Sequence, residues 1–271
     1  MGGRSLCGTT LKHVDNIMLE LNNISVGFGG LKALSNVSIS IARGQIHGII
    51  GPNGAGKTTL LNVITGVFPP NSGDIVLDGI SIRGIRTSEI AARGLGRTFQ
   101  TSKIFQGMTV LENVMCGLHG MLKATPWAAA FGFGSIRDHE RTAALDALAM
   151  LNFVGMEEFA HRDAAALSFG QQRLVEIARA LISKPKVLLL DEPAVGLSAV
   201  RVDELGVLLK RIRDEHGTTI VMIEHVVQLV MGVCDRITVL NSGIKLAEGD
   251  ADSIAREPAV IEAYLGKAIH A

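Results

Sequence analysis

Residues 51–58 read GPNGAGKT and fit the pattern G-x-x-x-x-G-K-[ST]. This stretch constrains the fold more than any other. The pattern works only where a buried strand delivers the loop to a sheet edge and a helix follows, with its N-terminal N–H groups turned towards a phosphate. Both flanks are present: IHGII (46–50) is a short apolar run, and TTLLNVITG (58–66) has helical texture. Gly51, Gly54 and Gly56 allow the backbone N–H groups to curl around phosphates. Lys57 is expected to reach the β- and γ-phosphates, and Thr58 to offer its hydroxyl to Mg²⁺. Pro52, Asn53, Ala55 and Thr59 complete the expected nucleotide-binding stretch.

A phosphate loop of this kind predicts an α/β chain, and the other apolar runs agree. VLLLDEP (187–193) is continuous, as expected of a strand covered on both faces of a parallel sheet. TTIVMIEH (218–225) and RITVLNSG (236–243) repeat that texture, and helical patterns separate them. From Leu19 to Ile50 the pattern is strand-like, with Val37, Ile39 and Ile41 alternating with serines and Ala42. Residues 101–167 differ: no strand is expected after about Gln100, and Ala-rich helical segments such as RTAALDALAMLNFVGM dominate. The expected layout is a loose tail over 1–15, an α/β core over 16–100 and 168–271, and an inserted helical subdomain over 101–167. TPWAAAFGFGS (125–135) breaks the insertion, and no internal repeat points to a second nucleotide domain.

VLLLDEP ends in two carboxylates at the C-terminal end of its strand, the edge where open α/β sheets bind ligands. Asp191 is expected to hold Mg²⁺ through water, and Glu192 to polarise an attacking water. Without a phosphate loop elsewhere, the same residues would read as a surface turn before Pro193.

A second anion site is less expected. In ALSFGQQRLVEIARAL (166–181), Ser168 and Gln171 have capping-box spacing, and Leu174, Ile177, Ala178, Leu181 and Ile182 follow a helical period. A helix therefore starts at about Ser168, and Gly170 leaves its first turn open to an anion.

Charge and hydropathy narrow the setting. Lys plus Arg number 26 against 26 Asp plus Glu, and no basic cluster reads as a nucleic-acid footprint. Mean hydropathy is +0.32, yet no apolar run is long enough to span a bilayer. Residues 1–15 carry no secretory h-region, and Leu6 breaks the myristoylation pattern. Cys7, Cys116 and Cys234 are widely spaced, suit reduced thiols and show no metal-ligand spacing. The expectation is a cytosolic protein seated against a membrane protein.

The phosphate loop, the LLLDEP strand and the LSFGQ sequence upstream of it together resemble the nucleotide-binding subunits of ABC transporters, over about residues 17–266. That resemblance implies an ATPase with a P-loop (RecA-like) ABC core, a small antiparallel β part and the inserted helical subdomain. It implies that Ser168, Phe169, Gly170 and Gln171 bind the γ-phosphate of ATP held by a partner subunit, although Phe169 stands where glycine is common. RTFQ matches the Q-loop, so Gln100 is expected near Mg²⁺ and the attacking water. MIEHVV matches the switch motif, so His225 is expected at the γ-phosphate. Phe28 in VGFGG aligns with the aromatic that stacks on adenine; core packing is the alternative. AVGLSAV (194–200) matches the D-loop, with Ser198 where many members carry Asp.

The implied cofactors are ATP and Mg²⁺. The implied partners are two transmembrane permease subunits, a second ATP-binding subunit and, indirectly, a substrate-binding receptor protein; nucleic acid is not among them. The implied place is peripheral, on the cytoplasmic face of the inner membrane, with the face near QGMTVLENV (106–114) against the permease. IFQGMTVLENV, the segment from Met121 to Glu140, residues 223–250 and EPAVIEAYLG (257–266) look like importers of branched-chain amino acids. Importers of urea and short amides look similar, and a soluble ABC ATPase outside transport is a further alternative.

Overall fold

A computed structural model describes residues 16–98, 104–118 and 133–265. Gln100, the 1–15 tail and most of the Met121–Glu140 segment lie outside the described residues. The first half of the chain runs β1 (Ile17–Phe28), β2 (Leu31–Ala42), β3 (Ile46–Ile50), α1 (Lys57–Ile64), β4 (Ser72–Leu77), β5 (Ile80–Ser81), α2 (Thr87–Ala92) and β6 (Leu95–Arg97). It continues through α3 (Val110–Met115), α4 (Phe133–Phe153), α5 (Phe169–Leu181), β7 (Val187–Asp191), α6 (Ala199–His216) and β8 (Thr219–Ile223). The chain closes with α7 (Val227–Val233), β9 (Arg236–Asn241), β10 (Ile244–Gly249), α8 (Ala251–Arg256) and α9 (Pro258–Leu265).

The strand-like stretch from Leu19 to Ile50 supplies two different sheets. β1 and β2 form an antiparallel hairpin, with Leu21 opposite Ile39 and Ile24 opposite Val37. β4 pairs with the other edge of β1, giving the order β2-β1-β4-β5. This sheet is buried on one face, so its strands alternate: Leu19, Leu21, Ile24, Val37, Ile39 and Ile41 point into the core.

β3 instead joins a six-stranded sheet ordered β10-β9-β3-β8-β7-β6, parallel from β9 to β6 with β10 antiparallel at the edge. Its strands read as continuous apolar runs because both faces are covered. Leu188 and Leu190 of β7 join a cluster with Val114, Leu151, Ile177 and Leu209, whereas Val187 and Leu189 join a second with Leu21, Ile39, Leu60 and Leu61. The central sheet is thus sandwiched between the antiparallel sheet with α1 on one side and helices on the other.

Residues 104–118 and 133–167 contain helices and no named strand, only an isolated bridge between Thr109 and Asp163. Asn113 is wholly buried and binds the 105–109 turn, accepting from Phe105 N at 2.8 Å and donating to Thr109 O at 3.0 Å. Gly117 marks the closest approach to α5: a Cβ there would lie 2.0 Å from the Arg179 carbonyl oxygen. Only glycine lets these two backbones meet.

His47 on β3 is buried, its Nε2 2.8 Å from Thr238 Oγ1. Burial lowers its pKa from 6.5 to about 4; Glu248 opposes the shift, and Arg236 and Lys245 reinforce it. The folded state therefore keeps His47 neutral at pH values where the unfolded chain binds a proton. Stability is lost as pH falls from 6.5 to about 4, by about 3 kcal/mol for a shift of this size. Urea unfolding of the parent at pH 7.5 and 5 should show about 2 kcal/mol of this loss, and His47→Gln should show a smaller one. Equal losses would count against a neutral buried His47.

Candidate active site

The C-terminal ends of β3, β8 and β7 lie side by side at one sheet edge, with β8 in the middle. Sequence alone does not give that order. The loop after β3 turns into α1 with Gly56 as N-cap at φ 99°, and no side chain caps the helix. The dipole at this helix start favours an anion. Two of the three glycines are sterically required. A Cβ on Gly51, at φ 156°, would lie 2.1 Å from Leu240 O, and one on Gly56 would lie 2.7 Å from Ala33 O. Gly54 is held at φ 80° but faces open space.

Lys57 is buried and folds back over the loop, donating to Gly51 O at 2.6 Å and Pro52 O at 3.1 Å. Asn53 and Gly54 on the loop and Thr58 in the first turn of α1 are exposed, Pro52 and Thr59 half-buried, and Ala55 buried. Phe28 is not a core residue: 51% of it is exposed, and it meets Phe68 edge-on at 5.4 Å. Its ring therefore offers an exposed face at the end of β1, as a stacking platform requires.

Asp191 ends β7 almost wholly buried. Desolvation raises its pKa, and Arg97 opposes the shift. Arg97 Nη2 reaches Asp191 Oδ2 at 3.2 Å, while Nη1 donates to Asn62 Oδ1 at 2.9 Å and Thr65 Oγ1 at 3.1 Å. One guanidinium thus ties β6, α1 and the end of β7 together. Arg97 stands in RTFQ, yet the motif reading gave it no role; a cation three residues before Gln100 was the available signal.

Glu192 follows in the left-handed region at φ 49°, with its N–H on Ile223 O at 2.9 Å. A non-glycine residue held there costs about 1–3 kcal/mol, and such residues cluster at functional sites. His225 Nδ1 lies 3.8 Å from Glu192 Oε1 and 3.9 Å from Glu224 Oε2. These separations allow Coulombic contact but are too long for hydrogen bonds. The structure therefore brings Glu192 and His225 together. It also presents Glu224, which sequence reasoning missed; its signal was a carboxylate closing an apolar run.

Ser168 caps α5 as the spacing predicted. Its N–H donates to Gln171 Oε1 at 3.0 Å, and its Oγ accepts from Gln171 N at 3.4 Å. Phe169 is 42% exposed beside Gly196, with the Arg173 guanidinium 5.6 Å from its ring centre. Arg173 and Glu176 form a wholly buried ion pair at 2.9 Å, a polar insertion that the apolar period of the helix does not reveal. The cleft at Ser168, Gly170 and Gln171 is lined also by Leu197 and Arg201 and includes none of residues 51–59.

Near QGMTVLENV, Glu112 is occupied in capping α3, accepting from Thr109 N at 2.7 Å and Thr109 Oγ1 at 2.8 Å. Charge reversal there would break the reciprocal half of the capping box as well as alter the surface, while Thr109 Oγ1 would keep its bond from the residue 112 N–H.

Thr58 and Asp191 are hard oxygen donors of the kind Mg²⁺ takes, few enough to leave positions for water and phosphate oxygens. Among the described residues no helix is long and apolar enough to cross a membrane.

Residues 34–195 match the ABC transporter family, and residues 245–270 match the branched-chain amino acid ATP-binding cassette transporter family. The high-affinity branched-chain amino acid transport ATP-binding protein BraF of Pseudomonas aeruginosa is 42% identical over 93% of this chain and 98% of its own length. LivG of Escherichia coli, named for the same transport, is 41% identical over the same shares. Among solved structures, the ADP conformation of an ATP-binding cassette from an ABC transporter is similar at a TM-score of 0.81 and 34% identity, covering 92% of this chain and 99% of that one. A dimeric ATP-binding cassette in a post-hydrolysis state with ADP and Pi is similar at 0.73 and 29% identity, covering 86% and 99%.

Proposed function

Since the chain belongs to the ABC transporter family of ATP-binding proteins, we propose that it is the ATP-hydrolysing subunit of an importer of branched-chain amino acids. The observation that carries this is near full-length similarity, at 41–42% identity, to proteins named for that transport. The separate C-terminal match over residues 245–270 favours it over urea or short amides.

In this reading residues 51–59 cradle the phosphates of ATP, Lys57 exchanges its loop carbonyls for phosphate oxygens, and Phe28 stacks on adenine. Such stacking is worth roughly 1–3 kcal/mol. Thr58 and Asp191, with Gln100, would hold Mg²⁺, which would neutralise charge between the outer phosphates. Glu192 accepts the proton of the attacking water, and His225 contacts the γ-phosphate beside it. Ser168 to Gln171 serve the nucleotide of a second ATP-binding subunit. The cleft at these residues, separate from residues 51–59, supports that assignment. ATP held from both sides closes the pair, and hydrolysis reopens it, driving two permease subunits at the cytoplasmic face of the membrane. The receptor that delivers cargo does not touch this chain, and the helical subdomain over 101–167 carries the permease-facing surface.

The test is reconstitution in vesicles with the neighbouring permease and receptor gene products and any second ATP-binding subunit encoded beside them. ATP-dependent uptake of labelled leucine, lost on omitting this chain, is expected. Uptake of urea without leucine would replace the cargo, and failure to assemble with any permease would remove the transport reading.

A further inference from the structure

Three backbone N–H groups from two separate segments converge on one buried carboxylate. Glu224 stands directly after β8 with its side chain wholly buried. Its Oε1 accepts from Ala194 N at 2.6 Å, and its Oε2 accepts from His225 N at 2.8 Å and Val226 N at 3.0 Å. Its own N–H points at Ile49 O of β3, at 3.4 Å. Burying a carboxylate is costly unless donors meet its oxygens, and an apolar side chain would fill the place more cheaply. Here the three donors come from two segments with separate tasks. Ala194 lies two residues past Glu192 and opens the 194–200 segment; His225 is the switch histidine.

We propose that Glu224 is a positioning residue that locks the 194–200 segment to the 224–226 segment and thereby fixes Glu192 against His225. This rests on the ATPase reading above. Movement of His225 towards a γ-phosphate is then transmitted through one side chain to the 194–200 segment.

Two variants separate this from plain structural support. Glu224→Asp keeps both oxygens but is one methylene shorter. It retains the local turn to Val226, a bond aspartate makes readily two residues ahead, and cannot reach Ala194. Glu224→Gln keeps the length but has one acceptor oxygen, so its amide opposes an N–H on one side. Both should bind ATP with KM within about twofold of the parent while kcat falls about ten- to a hundredfold, the size expected of a small misplacement of reacting groups. Amide exchange without nucleotide supplies the second readout. In Glu224→Asp the Ala194 amide should exchange at least about tenfold faster while Val226 stays protected.

Parental kcat in Glu224→Asp, or unchanged Ala194 exchange, overturns the proposal. So does a loss carried by KM alone, or collapse of the fold in both variants, which makes Glu224 structural only. If the parent itself fails to hydrolyse ATP, the ATPase reading falls, and the exchange measurement still decides whether Glu224 joins the two segments.

Discussion

Glu192→Gln is expected to bind ATP and lose hydrolysis by about a hundred- to ten-thousandfold, the usual contribution of a positioned general base. The substitution changes little else. Glutamine matches glutamate in length, and the backbone at this position is held by its N–H on Ile223 O and by the Ala194 link to Glu224. The side chain is 19% exposed, so a water can reach it, while neighbouring Asp191 is engaged by Arg97. What disappears is the proton acceptor. With hydrolysis blocked and binding intact, the variant should collect as a closed pair with ATP and Mg²⁺. Steady-state hydrolysis, nucleotide affinity and size-exclusion chromatography check the three parts. A variant turning over at half the parental rate is not missing its base.

Mixing two inactive variants should restore activity if each site is built from two chains. Lys57→Ala removes the loop cation. A unit charge about 4 Å from a phosphate is worth on the order of 4 kcal/mol at intermediate dielectric, so turnover should vanish. Because Lys57 also binds Gly51 O and Pro52 O, thermal unfolding must accompany the test. Gly170→Asp blocks the other half: a Cβ there meets only Leu197 Cδ2, at 3.2 Å, so the helix tolerates the change once Leu197 shifts slightly. Its carboxylate suits the helix N-terminus but repels a phosphate approaching it. In a mixed pair, one site joins the sound loop to the sound signature, and the other collects both defects. If each chain completed its own site, every site would carry a defect. Recovered hydrolysis in the mixture supports the shared site; well-folded mixed pairs without activity oppose it. Where the natural partner is a different subunit, that subunit should carry the equivalent second change.

Much of this site was legible because its signals are local. The phosphate loop needs only its own glycines and flanking elements. The capping box of Ser168 and Gln171 spans three residues, and the covered strands announce themselves as apolar runs. Nothing in those patterns says which strand neighbours which. Placing β8 between β3 and β7 is a pairing decision, made by packing both faces of the sheet at once, and it is what brings His225 beside Glu192. The same holds for the long-range polar links. Arg97 meets Asp191 across 94 positions, and Glu224 meets Ala194 across 30. Their sequence neighbourhoods contain only a charged residue near a strand end, a pattern equally suited to solvent. The Arg173–Glu176 pair has helical spacing, but its burial depends on what covers that face of α5. Gly117 looks like any glycine until the α5 backbone arrives beside it. Sequence thus determined the elements and the local chemistry, since these depend on residues within a few positions. Tertiary structure alone decided the partners, since a buried charge or a close backbone contact exists only once distant segments have closed around it.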